Sequence, residues 1–258
     1  MTSDSHVVVI PSYNTGRILV DTIREALKHW QPVWLFVDGS TDDSFRCFLD
    51  SPEDWPGLSV FVSSENEGKG ATAIRAAKEA EHAGFTHMLL MDADGQHPAK
   101  EIARFMGLSR SAPEAMILGQ PVYGDDAPWV RLAGRQLSVG MVWLETLGGG
   151  VGDPLVGFRV YPVKALLEAA DNTRFARRYD FDPEMAVRLF WRGTRPIRAR
   201  ISVIYVSPEA GGISHFHYLR DNLFMIWLHL RLIIAFIPKC IRVAQLSRHF
   251  RSLEKAGS

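Results

Sequence analysis

Met88-Leu-Leu-Met-Asp-Ala-Asp-Gly-Gln-His-Pro98 is an apolar run that stops abruptly on two carboxylates. Met88 to Met91 is short enough for a buried strand, Gly95 turns the chain, and Pro98 suits the start of a helix. Side chains alternate across a strand, so Asp92 and Asp94 aim at one point beyond its carboxyl end. Open α/β sheets place their ligands there. Two converging carboxylates repel each other unless a cation lies between them. Hard oxygen ligands favour Mg²⁺ or Mn²⁺, and Mg²⁺ commonly takes one or two carboxylates together with substrate phosphates. Gln96 offers a third oxygen, and His97 a nitrogen from the same turn. The competing reading is a solvated Asp-Ala-Asp-Gly turn.

Upstream, His6 to Ile10, Val33 to Val37 and Leu58 to Val62 read as three more strands, separated by helical segments. Strands alternating with helices of ten to fifteen residues argue for parallel βαβ units in a doubly wound sheet. Right-handed crossovers then bring the loops at Pro11, Asp38 and Asp92 to one edge of the sheet. Downstream, helices are expected over Pro98 to Ser109, Val130 to Leu147 and Pro183 to Arg192. Strands are expected over Ala115 to Leu118, Val156 to Tyr161 and Arg198 to Val206. The division expected is an α/β domain over 1–215 and a basic, apolar helical appendage over 216–258.

The chain has 258 residues with 29 Lys and Arg against 29 Asp and Glu, which argues against a general nucleic-acid binder. Cys47 and Cys240 stand far apart and fit a reducing compartment. Met1 to His6 has no basic segment followed by an apolar one, so no secretory signal is expected. No stretch reaches the roughly 20 apolar residues of a spanning helix. The nearest, Leu223 to Ile237, is interrupted by His229 and Arg231.

Gly68-Lys-Gly-Ala-Thr72 is not a P-loop, because Lys69 precedes Gly and the first required glycine falls on Ser63. Its glycines either leave N–H groups for an anion or relieve close helix packing. Asp38 reads as an acceptor for a base or ribose hydroxyl, or as a turn residue, and Tyr13 as a stacking platform or as packing.

Taken in order, Val9-Ile-Pro-Ser-Tyr-Asn14, Val37-Asp-Gly-Ser-Thr-Asp42, Asn66-Glu-Gly-Lys-Gly70 and Met91 to Pro98 resemble family 2 glycosyltransferases of the GT-A fold. The branch most similar is that of dolichol- or polyprenyl-phosphate mannosyltransferase-like enzymes. Asp153-Pro-Leu-Val-Gly-Phe-Arg159 is similar to its Asp-x-x-Ser-Gly-Phe-Arg segment. The resemblance spans roughly Val7 to His215. It implies a Rossmann-like, mostly parallel sheet, with Pro11, Tyr13, Asn14, Asp38, Lys69 and Ala93 at the nucleotide-sugar. It also implies Asp92, Asp94 and Gln96 on a divalent metal, and Arg135, Arg159, Ser214 and His215 toward an acceptor. Four positions depart from the pattern: Val37 for Asp, Thr15 for Glu, Gly119-Gln-Pro-Val-Tyr123 for Gly-Ser-Arg-Tyr, and His215 for Lys. The last two weaken a fixed positive site for an acceptor phosphate.

The activity so implied is inverting transfer of a sugar from a nucleotide-sugar to a lipid-linked acceptor such as a polyprenyl phosphate. A metal offsets charge on the leaving diphosphate. A lipid phosphate arrives as an anion and needs no strong base. A hydroxyl acceptor needs a carboxylate, for which Asp153 and then Glu184 are the candidates. Asp153 alternatively braces the Gly-rich loop or pairs with Arg159, and Asp182 reads as a helix N-cap. A non-catalytic nucleotide-sugar or lipid-binding protein is the rival from another class. A nucleotidyltransferase would need a glycine-rich basic loop after the first strand, which Pro11 to Arg17 does not resemble. The apolar C-terminal segment, bordered by Arg220, Arg231, Lys239, Arg242, Arg248 and Arg251, fits a membrane interface, an oligomer contact or a cover for the sheet. Pro238 should break it. Together these give a cytoplasmic protein peripheral on the cytoplasmic face of a membrane.

Overall fold

His6–Ser12 (β1) and Val33–Asp38 (β2) carry too little polarity to face water on either side, and both are buried almost throughout. They are neighbouring inner strands of a seven-stranded sheet in the computed structural model, which describes residues 1–122, 129–203 and 218–256. Leu58–Ser63 (β3) and His87–Leu90 (β4) complete the first half. Between these strands run Ile18–His29 (α1), Arg46–Asp50 (α2) and Lys69–His82 (α3). A 3-10 turn at Ala99–Glu101 opens Ile102–Ser111 (α4), followed by Ala115–Val122 (β5) and Trp129–Glu145 (α5). Then come Arg159–Pro162 (β6), Val163–Asp171 (α6), Phe181–Arg192 (α7) and Arg195–Ser202 (β7). Tyr218–Phe236 (α8) and Cys240–Ala256 (α9) close the described chain, parted at Ile237–Lys239 where Pro238 lies.

The strand order is β3-β2-β1-β4-β6-β5-β7. Pairing is parallel except for β6, which runs antiparallel to both β4 and β5. The sheet is therefore mostly parallel, as expected. The sixth strand starts at Arg159 instead of Val156, because the residues before it are bent into the site described below. A helix that the sequence reading lacked, α6, follows directly on Pro162 with no intervening turn residues.

Alternation along the strands sorts the core into two layers. Val7, Val9, Phe36 and Leu90 face α3, α6 and α7, and share that layer with Leu228 and Leu232 of α8 and Val243 and Phe250 of α9. Val8, Ile10, Leu35 and Leu89 face α1 and α4. Ala73, Ala76, Ala77 and Ala80 are fully buried, so α3 lies close on the sheet.

The chain leaves β1 toward β2 and β3 on one side and returns to β4 on the other. Where strand order reverses, the loops diverge and open a crevice. Here it lies at the carboxyl ends of β1 and β4.

One expectation is corrected. The helical run Leu223–Lys255, 33 residues with a mean hydropathy of 1.8 in its most apolar window, is long and apolar enough to cross a membrane by length and composition alone. His229 and Arg231 do not dilute the window enough to disqualify it. Only 17% of that window is buried.

Candidate active site

The Asp92–Pro98 turn begins where β4 leaves the sheet, Met91 still donating its N–H to Val9 O at 3.0 Å. Gly95 has φ +72°, the left-handed conformation such a tight turn demands. Asp94 Oδ1 accepts the Gln96 N–H at 3.0 Å, closing the turn, and the Ala93 carbonyl accepts Thr22 Oγ1 at 3.1 Å. The turn is thus fastened to α1.

Asp92 lies flat on Gly157. A Cβ at residue 157 would stand 2.0 Å from Asp92 Oδ2, so no other residue fits there unless the carboxylate moves. The bend at 156–158 is the reason β6 starts late. Asp92 Oδ1 is 2.6 Å from Lys69 Nζ, and Lys69 Nζ is equally 2.6 Å from Asp182 Oδ2. His97 Nε2 stands 3.7 Å from Asp92 Oδ2, its ring against Phe158.

Lys69 is the first residue of α3 and its backbone is pinned on two sides. Asp38, 3% exposed, accepts the N–H groups of Glu67 at 3.0 Å and Gly68 at 2.8 Å. Gly70 presses on the segment before α7, where a Cβ would meet Ala176 O at 2.3 Å, and Ala71 donates its N–H to Arg177 O. Gly70 therefore serves close packing, and the Glu67 and Gly68 N–H groups are committed to Asp38 instead of an exogenous anion.

Asp182 is the residue that sequence reasoning missed. The helix begins at Phe181, and Asp180 precedes it, accepting the N–H groups of Ala176 and Arg178 at 3.1 Å each. Asp182 is not a cap. It is 6% exposed, pairs with Lys69, and its Oδ1 is buried without a hydrogen-bond partner.

The remaining candidates are placed as follows. Asp153 takes Leu155 N–H on Oδ1 at 2.9 Å and pairs through Oδ2 with Arg135 of α5, while Gln120 Oε1 accepts its N–H at 2.8 Å. The pairing of Asp153 with Arg159 is not made. Arg159, fully buried, donates to the carbonyls of Pro154, Val156 and Asp182 and to the Tyr161 hydroxyl, stitching the bend to α7. Burial pushes the Tyr161 phenol up to about 12. Glu184, also fully buried, binds Thr173 Oγ1 at 2.9 Å, Arg188 at 2.8 Å and Arg231 of α8 at 2.6 Å. Asn14, at φ +46°, ties the β1 loop to the β2 loop through Thr41 N (2.7 Å) and Asp42 N (3.2 Å). Pro11 lies in β1 opposite Phe36, and Tyr13 is 38% exposed. Val37 is fully buried in the core, so the apolar residue is packed where the family pattern has Asp. Ser214 and His215 lie outside the described residues.

Electrostatically the two turn carboxylates are driven apart. Burial would raise Asp92, but the Lys69 ammonium and His97 more than offset it and hold its carboxyl below the usual range. Asp94 is raised by burial and by the Asp92 charge. Lys69 is held charged by Asp182 and Asp92 against the cost of its own burial. Among the described residues no group of three or more His, Cys, Asp and Glu is placed to hold a metal. The two carboxylates and the amide expected from the sequence are hard oxygen donors, of the kind that would suit an Mg²⁺-type ion completed by phosphates.

A doubly wound, mostly parallel sheet with an acidic turn at its switch point defines the class, an open α/β protein whose ligands are expected at that crevice. The family model described as Glycosyl transferase family 2 matches residues 7–170, and the chain belongs to that family. A dolichyl-phosphate beta-glucosyltransferase of Trichomonas vaginalis is 26% identical over 197 residues, covering 70% of this chain and 59% of the relative. The UDP-N-acetylglucosamine–dolichyl-phosphate N-acetylglucosaminyltransferase of Methanococcus voltae is 22% identical over 192 residues, covering 67% and 75%. The chain thus spans little more than half the length of the first relative. Glucosyl-3-phosphoglycerate synthase from Mycobacterium tuberculosis, crystallised with Mn²⁺, UDP-glucose and glycerol 3-phosphate, superposes with a TM-score of 0.59 at 16% identity, covering 92% and 80%. S. aureus TarS with UDP-GlcNAc gives 0.61 at 14% identity, covering 95% and 71%. At these identities the likeness establishes the fold alone, which is GT-A as expected.

Proposed function

We propose that this chain catalyses inverting, metal-dependent transfer of a sugar from a nucleoside diphosphate sugar to a polyprenyl phosphate. The observation that carries the reading is the Asp92–Asp94 turn at the β1/β4 crevice of a family 2 chain, two of whose relatives are named for transfer to dolichyl phosphate. Asp92, Asp94 and Gln96 would hold Mg²⁺ or Mn²⁺, which when bound offsets charge on the leaving diphosphate. Lys69 adds a fixed positive charge beside Asp92. An acceptor phosphate oxygen attacks the anomeric carbon as the bond to the diphosphate breaks on the opposite face, and the nucleoside diphosphate leaves.

The engagement of both carboxylate candidates for a base favours a phosphate acceptor over a hydroxyl. Asp153 is engaged by Arg135, and Glu184 is fully buried between Arg188 and Arg231. An anionic acceptor needs neither. We assign Arg159 to bracing the bend beneath Asp92, and Arg135 to the mouth of the site.

A lipid acceptor agrees with α8. Two of its polar residues turn inward, His229 to Glu145 at 2.9 Å and Arg231 to Asp180 and Glu184. Leu223, Trp227, Leu230, Ile234, Ile237 and Ile241 are left exposed at helical spacing. Lys239, Arg242 and Arg248 border them. This is the arrangement of a helix lying on an anionic membrane surface, with 216–258 as the attachment segment.

The test is a titration of Mn²⁺ with UDP- and GDP-sugars, followed by an assay on polyprenyl phosphate. Transfer should need the metal, and Asp92→Asn should abolish it while the melting temperature stays within a few degrees. Transfer indifferent to chelator and to Asp92→Asn would refute the metal role. In the same preparation the protein should sediment with anionic liposomes and come off at alkaline pH, and resistance to that wash would indicate a spanning helix.

A further inference from the structure

An ammonium already seated on a metal-ligating carboxylate must give way when the metal arrives. Lys69 Nζ is shared between Asp92 Oδ1 and Asp182 Oδ2 at 2.6 Å each. The α3 backbone beneath it is fixed by Asp38 and by the contact of Gly70 with Ala176, so only the side chain is free to swing. On the far side of the swing Asp182 has a buried oxygen with no partner. A charged acceptor left in this state is costly unless something completes it.

We propose that Lys69 is a resident counter-cation that releases Asp92 to the metal and is retained by Asp182, where it meets the donor's diphosphate. The inference rests on the metal and nucleotide-sugar reading above. Asp182 is then a positioning residue, acting through Lys69. Two consequences follow from the competition. Metal alone binds weakly, because it must displace Lys69 from Asp92. Metal with a nucleoside diphosphate binds tightly, because the phosphates give Lys69 a new partner.

Mn²⁺ binding to the purified full chain, followed by electron paramagnetic resonance with and without UDP or GDP, tests this directly. Lys69→Gln removes the competitor, so Mn²⁺ without nucleotide should bind on the order of ten-fold tighter, while nucleotide binding in Mn²⁺ weakens. Asp182→Asn leaves Lys69 resting on Asp92 alone, so Mn²⁺ should bind several-fold more weakly. A merely structural role for either residue would not move the two variants in opposite directions. If Lys69→Gln does not fold, Lys69→Arg should grip both carboxylates more firmly and weaken Mn²⁺ binding. Equal or weaker Mn²⁺ affinity in Lys69→Gln, unchanged affinity in Lys69→Arg, or equal or tighter affinity in Asp182→Asn overturns the proposal. Wild-type protein that binds no Mn²⁺ with any nucleotide sinks the metal reading itself, and this inference with it.

Discussion

Gly157 contributes no side chain, and Asp92 uses the space. An added methyl would overlap the whole carboxylate, with Oδ2, Cγ and Oδ1 all within 2.7 Å. Gly157→Ala should therefore move Asp92 off its line to Lys69 and lower metal-dependent nucleotide binding at least about ten-fold, with about 1–3 kcal/mol of lost stability from overpacking. The control is Gly107→Ala on α4, where a Cβ meets nothing within 4 Å and the glycine is helical. That change should leave binding alone and stabilise by about 0.5–1 kcal/mol in urea denaturation. If Gly157→Ala binds nucleotide and metal as the wild type does, the carboxylate position is unimportant. Asp92 and Asp94 were legible because strand alternation and a short apolar run suffice to aim them. Asp182 was not legible, since a carboxylate in a first helical turn satisfies the expectation for a cap. Its partner Lys69 is 113 residues away. The segment ending in Arg159 was recognisable as a motif, but only tertiary packing reveals that the guanidinium is spent on three carbonyls and a tyrosine.

At the scale of elements, α8 is held to the body by ions as well as by Leu228 and Leu232. Arg231 reaches Asp180 at 2.7 Å and Glu184 at 2.6 Å, and stacks over Phe175 at 4.0 Å. Glu184 is fully buried, so removing Arg231 leaves its Oε2 without a partner and its charge balanced by Arg188 alone. Breaking a buried pair costs more than the pair gains, because the abandoned partner keeps its desolvation penalty. Arg231→Met should destabilise the fold by roughly 3 kcal/mol, and Glu184→Gln added to it should recover part of that loss. Equilibrium unfolding of the wild type, both single variants and the double variant would measure the coupling. Additive losses would show that the two side chains do not interact. The helices and parallel strands of the first half were readable because each carries its own period and its own turn. β6 was placed three residues early because Val156, Gly157 and Phe158 continue an apolar run in sequence while the backbone there bends toward Asp92. Its antiparallel direction has no local signature. α6 starts on the residue after Pro162, so no polar loop announces it.

Across the whole molecule, the sheet separates chemistry at one edge from a buried histidine, His6, at the other. His6 opens β1, while Ser12 and the loops of the site lie at its far end. The His6 ring stacks on His87 at 4.4 Å and is bonded to Ser5 Oγ at 2.9 Å and Ser109 Oγ at 3.1 Å. Burial, then His87 and Arg110, lower its pKa from 6.5 to about 4. The unfolded chain therefore binds a proton that the native state refuses. Stability from this site is complete above about pH 6.5 and is lost as the pH falls from there toward 4, on the order of 3 kcal/mol. Asp92 behaves oppositely in pH range: its carboxyl is held below the usual values, so its ion pair with Lys69 survives through this window. Between pH 6.5 and 4 the fold should therefore loosen from the histidine end while the Lys69 bridge stays ionised. Urea midpoints taken at pH 7.5, 6, 5 and 4.5 should fall progressively, and His6→Gln should flatten that fall while lowering the midpoint at pH 7.5. A variant whose midpoints decline as steeply as the wild type would place the pH sensitivity elsewhere, and not at Asp94, whose raised carboxyl makes the native state the better proton acceptor and so acts in the opposite direction as the pH falls.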